Sequence, residues 1–289
     1  MNRTITQVIR ARSQTEGGGF QIRRPLPAPG VRYIDPILMI DEMGPVEYQP
    51  GEAIGAPDHP HRGFETVTYM LAGEFEHRDS AGNAGRLQPG DVQWMTAGRG
   101  GVHAEMPSTR ILEEGGRVHG FQIWVNLPSR LKMTAPRYQE VAASQIPEAS
   151  SEDGLARVRV IAGEALGVTA RIDTHTPIVY QHWILQPGAN IDQPLAEDCN
   201  ALLYVFSGEL SAAGTPLANG EMAVLGQGDS VNLSVPSSAS GTTQLLLLGG
   251  VPLGEPVVQH GPFVMNSSEE IGQAIEDYQQ GRMGEITAT

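Results

Sequence analysis

The chain has 289 residues and carries 19 Lys+Arg against 33 Asp+Glu, a formal charge of −14 with a pI near 4.9. Such a surface repels phosphate backbones, which excludes direct nucleic-acid binding as the main task. A single cysteine, Cys199, excludes an internal disulfide and a thiolate-rich zinc or iron–sulfur site.

The length fits about two domains, and 40% hydrophobic with 18% charged residues is an ordered composition. The 35 glycines and 21 prolines demand many turns, as an all-β chain of short strands does. The N-terminal stretch MNRTITQVIRARSQTEGGG has no apolar core of a secretory signal. No run of about 18 apolar residues reads as a membrane span. The expected location is the cytoplasm, with no membrane contact.

Strand-length segments of β-branched and aromatic residues follow in chain order: 64–71, 121–125, 158–162, 178–185, 201–206 and 244–248. Helical signals are scarce. Ser267 with Glu270 three residues on is a capping box, and Ile271, Ala274, Ile275 and Tyr278 follow at helical spacing. One C-terminal helix is expected at about 268–280.

Two stretches repeat one order of features. Pro50-Gly51 leads to Tyr69-Met70-Leu71-Ala72-Gly73-Glu74, then Gly90-Asp91. Pro187-Gly188 leads to Tyr204-Val205-Phe206-Ser207-Gly208-Glu209, then Gly228-Asp229. Two tandem β units are the simplest reading. They are expected at 1–135 and 155–289, joined by a linker at 136–154 rich in Ala, Ser, Glu and Pro, with the helix ending the second.

His59-Pro60-His61 places two imidazoles at i and i+2, on one face of a strand. His103-Ala104-Glu105 repeats that spacing with a carboxylate. Two such pairs facing each other converge four ligands: His59, His61, His103 and Glu105. Imidazole with carboxylate suits Fe(II) above all, and also Cu, Ni, Co, Mn or Zn. Four protein ligands leave positions open for chemistry. Counting on from His61 in steps of two puts Glu65 on the ligand face, as a hydrogen-bond partner or a base. Phe64, Val67, Trp94, Met95 and Phe121 are the candidates for an apolar pocket, Trp94 foremost.

These residues also carry a family likeness. The stretch from Asp58 to Tyr69 (DHPHRGFETVTY) resembles the pirin signature, as does Gly90-Asp91-Val92-Gln93-Trp94-Met95-Thr96-Ala97-Gly98 followed by His103-x-Glu105. His77-x-Asp79-Ser80, the stretches DPILMIDE from Asp35 and GFQIWVNLP from Gly120, and QHGPFVMN from Gln259 fit the same pattern, so the likeness spans nearly the whole chain. It implies a bicupin, two tandem β-barrels, with one iron-type metal in the first, held by His59, His61, His103 and Glu105. Measured against the broader cupin pattern, Thr96 replaces a proline, His103 lies two residues late, and Glu65 holds the usual glutamate position. The division of labour between Glu65 and Glu105 therefore stays open.

In the second unit Gln193 to Ala196 stand where His59 and His61 stand in the first, and Asn200 answers to Glu65. That barrel is expected to be scaffold, lid or interaction surface. The likeness implies two activities. One is that of a quercetin 2,3-dioxygenase, using O2 to open a flavonol whose proton Glu105 or Glu65 takes. The other is that of a non-enzymatic, iron-dependent regulator acting through a protein partner. A monomer is expected. His77 with Asp79 reads as a turn anchor, His119, His175, His182 and His260 as structural or surface residues, and Cys199 as a small buried side chain.

Overall fold

The computed structural model describes residues 1–16 and 19–286. The first strands in chain order are β1 (Ile5–Arg10), β2 (Arg12–Glu16), β3 (Phe20–Leu26), β4 (Ile37–Tyr48), β5 (Ala56–His61), β6 (Phe64–Ala72), β7 (Phe75–Asp79), β8 (Ala84–Leu87), β9 (Val92–Thr96), β10 (Gly101–Pro107), β11 (Gly116–Asn126) and β12 (Arg137–Val141). Then come β13 (Glu148–Ser150), β14 (Ala156–Ala162), β15 (Glu164–Ala165), β16 (Val168–Thr169), β17 (Ile178–Leu185), β18 (Asn190–Pro194), β19 (Asn200–Ser207), β20 (Glu209–Ala212), β21 (Thr215–Ala218), β22 (Glu221–Leu225), β23 (Ser230–Ser234), β24 (Thr243–Gly250), β25 (Val258–His260) and β26 (Phe263–Met265). The helices are α1 (Thr109–Glu114) and α2 (Ser268–Gln279).

The strand orders make the duplication visible. One seven-stranded sheet runs β12-β9-β6-β11-β4-β3-β2 and faces a four-stranded sheet β5-β10-β7-β8 of the same barrel. The other runs β1-β22-β19-β24-β17-β14-β13, with its own four-stranded sheet β18-β23-β20-β21. Strand for strand the orders correspond, β6 with β19 and β11 with β24. The repeated Tyr69 and Tyr204 lie on the equivalent strands β6 and β19.

The division of the chain differs from the expected boundaries. One compact unit holds residues 13–23, 39–143 and 253–289; the other holds 1–12, 24–38 and 144–252. The first residues therefore complete the second barrel: β1 pairs antiparallel with β22. The stretch expected as a linker at 136–154 contains β12 and β13, which pair with β9 and β14. The terminal helix belongs with the first barrel. A boundary read from composition misses such exchanges, because edge pairing is set by partners distant in sequence.

Helix α2 forms where its capping box places it. Ser267 accepts from the Glu270 backbone, and Glu270 accepts from the Ser267 N–H in return. The short α1 was not expected. Ser108 caps it at Ile111 N and Gly115 stops it after six residues, too few for an apolar period to show. No helix among the described residues is long and apolar enough to cross a membrane.

Candidate metal centre

Strand β5 pairs with β10, and His59 lies directly opposite His103. The period of two turns His61 to the same side as His59. The three imidazoles meet with ring centroids 4.8 Å (His59–His61), 4.4 Å (His59–His103) and 5.0 Å (His61–His103) apart. A ligand atom from each lies within 4.8 Å of the others. His59 Nδ1 bonds the Pro57 carbonyl at 2.8 Å, and His61 Nδ1 the Pro262 carbonyl at 3.4 Å. A carbonyl only accepts, so both rings carry their proton on Nδ1 and present Nε2 as a lone pair. His103 is 2% exposed, and both its ring nitrogens are buried without a partner. An orphaned buried polar group costs about 1–3 kcal/mol. A divalent cation relieves that cost and uses the three lone pairs, so the residues fit a metal.

Burial first, and then the neighbouring imidazoles, hold His61 and His103 well below the usual histidine range. Both are neutral and ready to ligate at neutral pH. The same burial makes stability depend on pH. The unfolded chain takes up protons below about pH 6.5 while the folded site resists them, so metal-free protein loses stability as pH falls from there. Each of the two rings contributes a slope of up to ~1.4 kcal/mol per pH unit. Urea unfolding of metal-free protein between neutrality and about pH 5 measures this, and a flat profile contradicts it.

Glu105 shares the His103 face of β10 but lies outside the three-histidine cluster among the described residues. Its Oε1 accepts from Thr68 Oγ1 at 2.8 Å, and its Oε2 from Gln122 Nε2 at 3.5 Å. Thr68 and Gln122 are cross-strand partners on β6 and β11, so the face of β6 that looks at the site carries Phe64, Thr66 and Thr68. His61 touches Phe64 (centroids 5.1 Å) and Trp124 (5.4 Å) on that side.

Glu65 therefore points the other way, contrary to the count made along the sequence. Its Oε1 accepts from Thr96 Oγ1 at 2.6 Å, and it is 1% exposed. The count fails at Gly63, whose φ of 88° separates β5 from β6 and shifts the alternation by one residue. The same shift sorts the expected pocket. Phe64 and Met95, opposite Thr66, face the site. Val67, Trp94 and Phe121 share the Glu65 face, because Trp94 lies opposite Val67 and Phe121 opposite Tyr69. They pack in a core and do not line the centre. Trp124 and Gln122 are the residues sequence reasoning passed over. Their signal was the polar Gln122 inside FQIWV, since a face that only packs a core stays apolar.

Around the ligands sits a second set of contacts. Lys132 is buried and donates to Gly63 O at 2.8 Å, Asn126 Oδ1 at 2.7 Å and Val264 O at 3.0 Å. Burial lowers its ammonium to about 8 despite Glu255 and Glu270. Arg62 donates Nε to Arg99 O at 2.7 Å and pairs with Asp277 of α2, also at 2.7 Å. These bonds fasten the turn between the ligand strand and β6. Asp79 anchors its turn as expected, accepting from Ala81 N and Asn83 N. His77 takes no part in that turn: its Nε2 bonds Glu140 Oε1 at 2.5 Å.

The second barrel has a filled interior. Leu203 and Leu247 are cross-strand partners where the first barrel has Thr68 and Gln122, and they pack with Val158, Trp183, Val205 and Leu233. Gln193 sits on β18, the counterpart of the ligand strand, and donates to backbone carbonyls. His119 bonds Glu42, and His182 bonds Gln244. Cys199 is buried, and burial pushes its thiol up, the reverse of a reactive cysteine.

Two barrels of one strand order, with imidazoles converging in one of them among the described residues, define a bicupin with a candidate three-histidine metal site. Residues 19–125 match the family model Pirin, and residues 180–284 match Pirin C-terminal cupin domain. The chain is 45% identical over 285 residues to a pirin-like protein of Solanum lycopersicum, covering 98% of this chain and 93% of that one. It is 43% identical over 288 residues to pirin of Homo sapiens, covering 98% and 94%. The chain belongs to the pirin family. Among solved structures, quercetin 2,3-dioxygenase from Acinetobacter baumannii superposes with a TM-score of 0.92 at 34% identity, covering 99% of this chain and 100% of that one.

Proposed function

We propose that this chain is a metal-dependent dioxygenase that opens the flavonol ring of quercetin-like substrates with O2. The observation that carries the reading is the convergence of His59, His61 and His103, two of them buried, with both nitrogens of His103 unpartnered. The structural likeness to quercetin 2,3-dioxygenase supports the substrate class. His59, His61 and His103 would hold the metal, with Glu105 as the fourth ligand. Fe(II) suits this donor set best, and Cu, Ni, Co, Mn or Zn are the alternatives. The bound metal supplies a Lewis acid for the substrate's enolate oxygen and a redox partner for O2.

The chain's own groups do the rest. Glu105 takes the proton of the flavonol 3-hydroxyl, because the enolate is the species that reacts with O2. Its bonds to Thr68 and Gln122 hold the carboxylate toward the site. Phe64 and Trp124, with ring centroids 4.3 Å apart, form an aromatic wall beside His61. The net reaction adds both oxygens of O2 to the substrate, at C2 and C4, and releases carbon monoxide. Glu65 has no part in this chemistry.

Metal-loaded protein mixed anaerobically with quercetin and then exposed to O2 is expected to lose flavonol absorbance. Glu105→Gln should lower kcat by about 10²–10⁴-fold, whereas Glu65→Gln leaves the rate within about threefold at equal folded protein. Equal losses in both variants would overturn the assignment of the base. Absence of turnover with every one of these metals would favour the regulator that binds a protein partner.

A further inference from the structure

We propose that Tyr138 and Asp79 form a polar substrate subsite beside the metal centre that selects an aromatic ring bearing a hydroxyl. The proposal rests on the dioxygenase reading and adds a specificity-determining residue to it.

A cavity of about 350 Å³ opens onto His103 and is lined by Met95, Asp79, Tyr138, Ala135 and Met283. That volume falls in the range of small-molecule sites, about 300–1,000 Å³. Tyr138 sits on β12 opposite Met95, one of the two expected pocket residues that face the site. Asp79 lies opposite His103 across β7 and β10. The cavity thus reaches from a ligand imidazole to a phenol.

The carboxylate beside that phenol is held in place by its own turn. Asp79 Oδ1 accepts from Ala81 N at 2.9 Å and Asn83 N at 2.8 Å, and Oδ2 accepts from Asn83 Nδ2 at 2.7 Å. The Tyr138 phenol lines the same cavity as this carboxylate. A carboxylate holding three donors is fixed in place as an acceptor at the cavity wall. A phenol both donates and accepts, so Tyr138 pairs with a ring hydroxyl of a ligand in that cavity.

The ring is also held still. Tyr138 stacks on His77, with centroids 5.5 Å apart and planes at 19°, and His77 is fixed by Glu140 at 2.5 Å. Gly85 leaves the space for that bond: a Cβ there would fall 2.4 Å from His77 Nε2 and 2.7 Å from Glu140 Oε1. On the far side, Ser80 Oγ donates to Met283 O at 2.9 Å and seats the tail that walls the cavity. Phenol, carboxylate and wall are therefore in place before a ligand arrives, which lowers the ordering cost of binding.

The test is an anaerobic fluorescence titration of metal-loaded protein with two flavonols. Quercetin carries two hydroxyls on the pendant ring at C2, the ring assigned to this subsite; galangin has none there and is otherwise the same. Wild type is expected to bind quercetin more tightly. Tyr138→Phe keeps the stacked ring and should weaken quercetin about 3–10-fold while leaving galangin and metal content unchanged. Ala135→Trp, at an exposed position of the cavity mouth, should weaken both flavonols by more than about tenfold with metal content retained. It locates the ligand even if Tyr138→Phe folds poorly. Equal effects of Tyr138→Phe on both flavonols, or full binding by Ala135→Trp, would overturn the subsite and leave the dioxygenase reading standing. A wild type that binds neither flavonol would overturn both.

Discussion

Replacing His103 by alanine is expected to take bound metal from about one ion per chain to background. His103 closes the centre: His59 and His61 come from one strand, and only the imidazole of β10 brings in a second direction. Its two nitrogens have no partner in the protein. Removing the ring therefore leaves no hydrogen bond broken, and an orphaned polar group disappears. Metal-free His103→Ala should melt within a few degrees of metal-free wild type. Metal-loaded wild type, by contrast, should gain stability from binding that the variant lacks. Elemental analysis after dialysis, paired with melting curves with and without added metal, reads both quantities. Metal retained at wild-type stoichiometry would remove His103 from the centre.

Gly63→Ala is expected to destabilise the protein by about 3 kcal/mol or more, from a strained left-handed backbone added to overpacking. The residue has φ of 88°, and a Cβ there would lie 2.0 Å from Val264 O, with Met265 Sδ at 2.7 Å. Neither neighbour can give way easily. Val264 also accepts from the buried Lys132, which in turn holds the Gly63 carbonyl. The variant should also lose metal, because the turn that separates β5 from β6 aims His61. Chemical unfolding together with metal content measures this. A variant of wild-type stability would show that the turn is not a constraint.

Gly63 also marks where the sequence stops being legible. The tandem β units, the terminal helix and the converging histidines follow from local patterns: repeated turns, a capping box, and i, i+2 spacing. Each of these is written within a few residues. The face assignment beyond His61 is not, because one residue of irregular backbone inverts every side chain that follows. The count puts Glu65 and Val67 on the ligand face for that single reason; Trp94 and Phe121, on β9 and β11, lie outside the count and share the far face as cross-strand neighbours of Val67 and Tyr69, while Phe64 and Met95 face the site. The polar residues within the buried strands, Thr66, Thr68 and Gln122, carried the correct phase and outweigh a count carried through a glycine. The unit boundaries were hidden for another reason. β1 pairs with β22 more than 200 residues away, and no local composition records such a partner.

Carbon monoxide is the product that separates ring opening from any other loss of flavonol. Its yield from metal-loaded protein, quercetin and O2 is therefore the most direct test of the account. The prediction is about one carbon monoxide released per flavonol consumed, with none from His103→Ala. Flavonol consumed without carbon monoxide, or release that persists in His103→Ala, would contradict the assignment of this chemistry to the three-histidine centre.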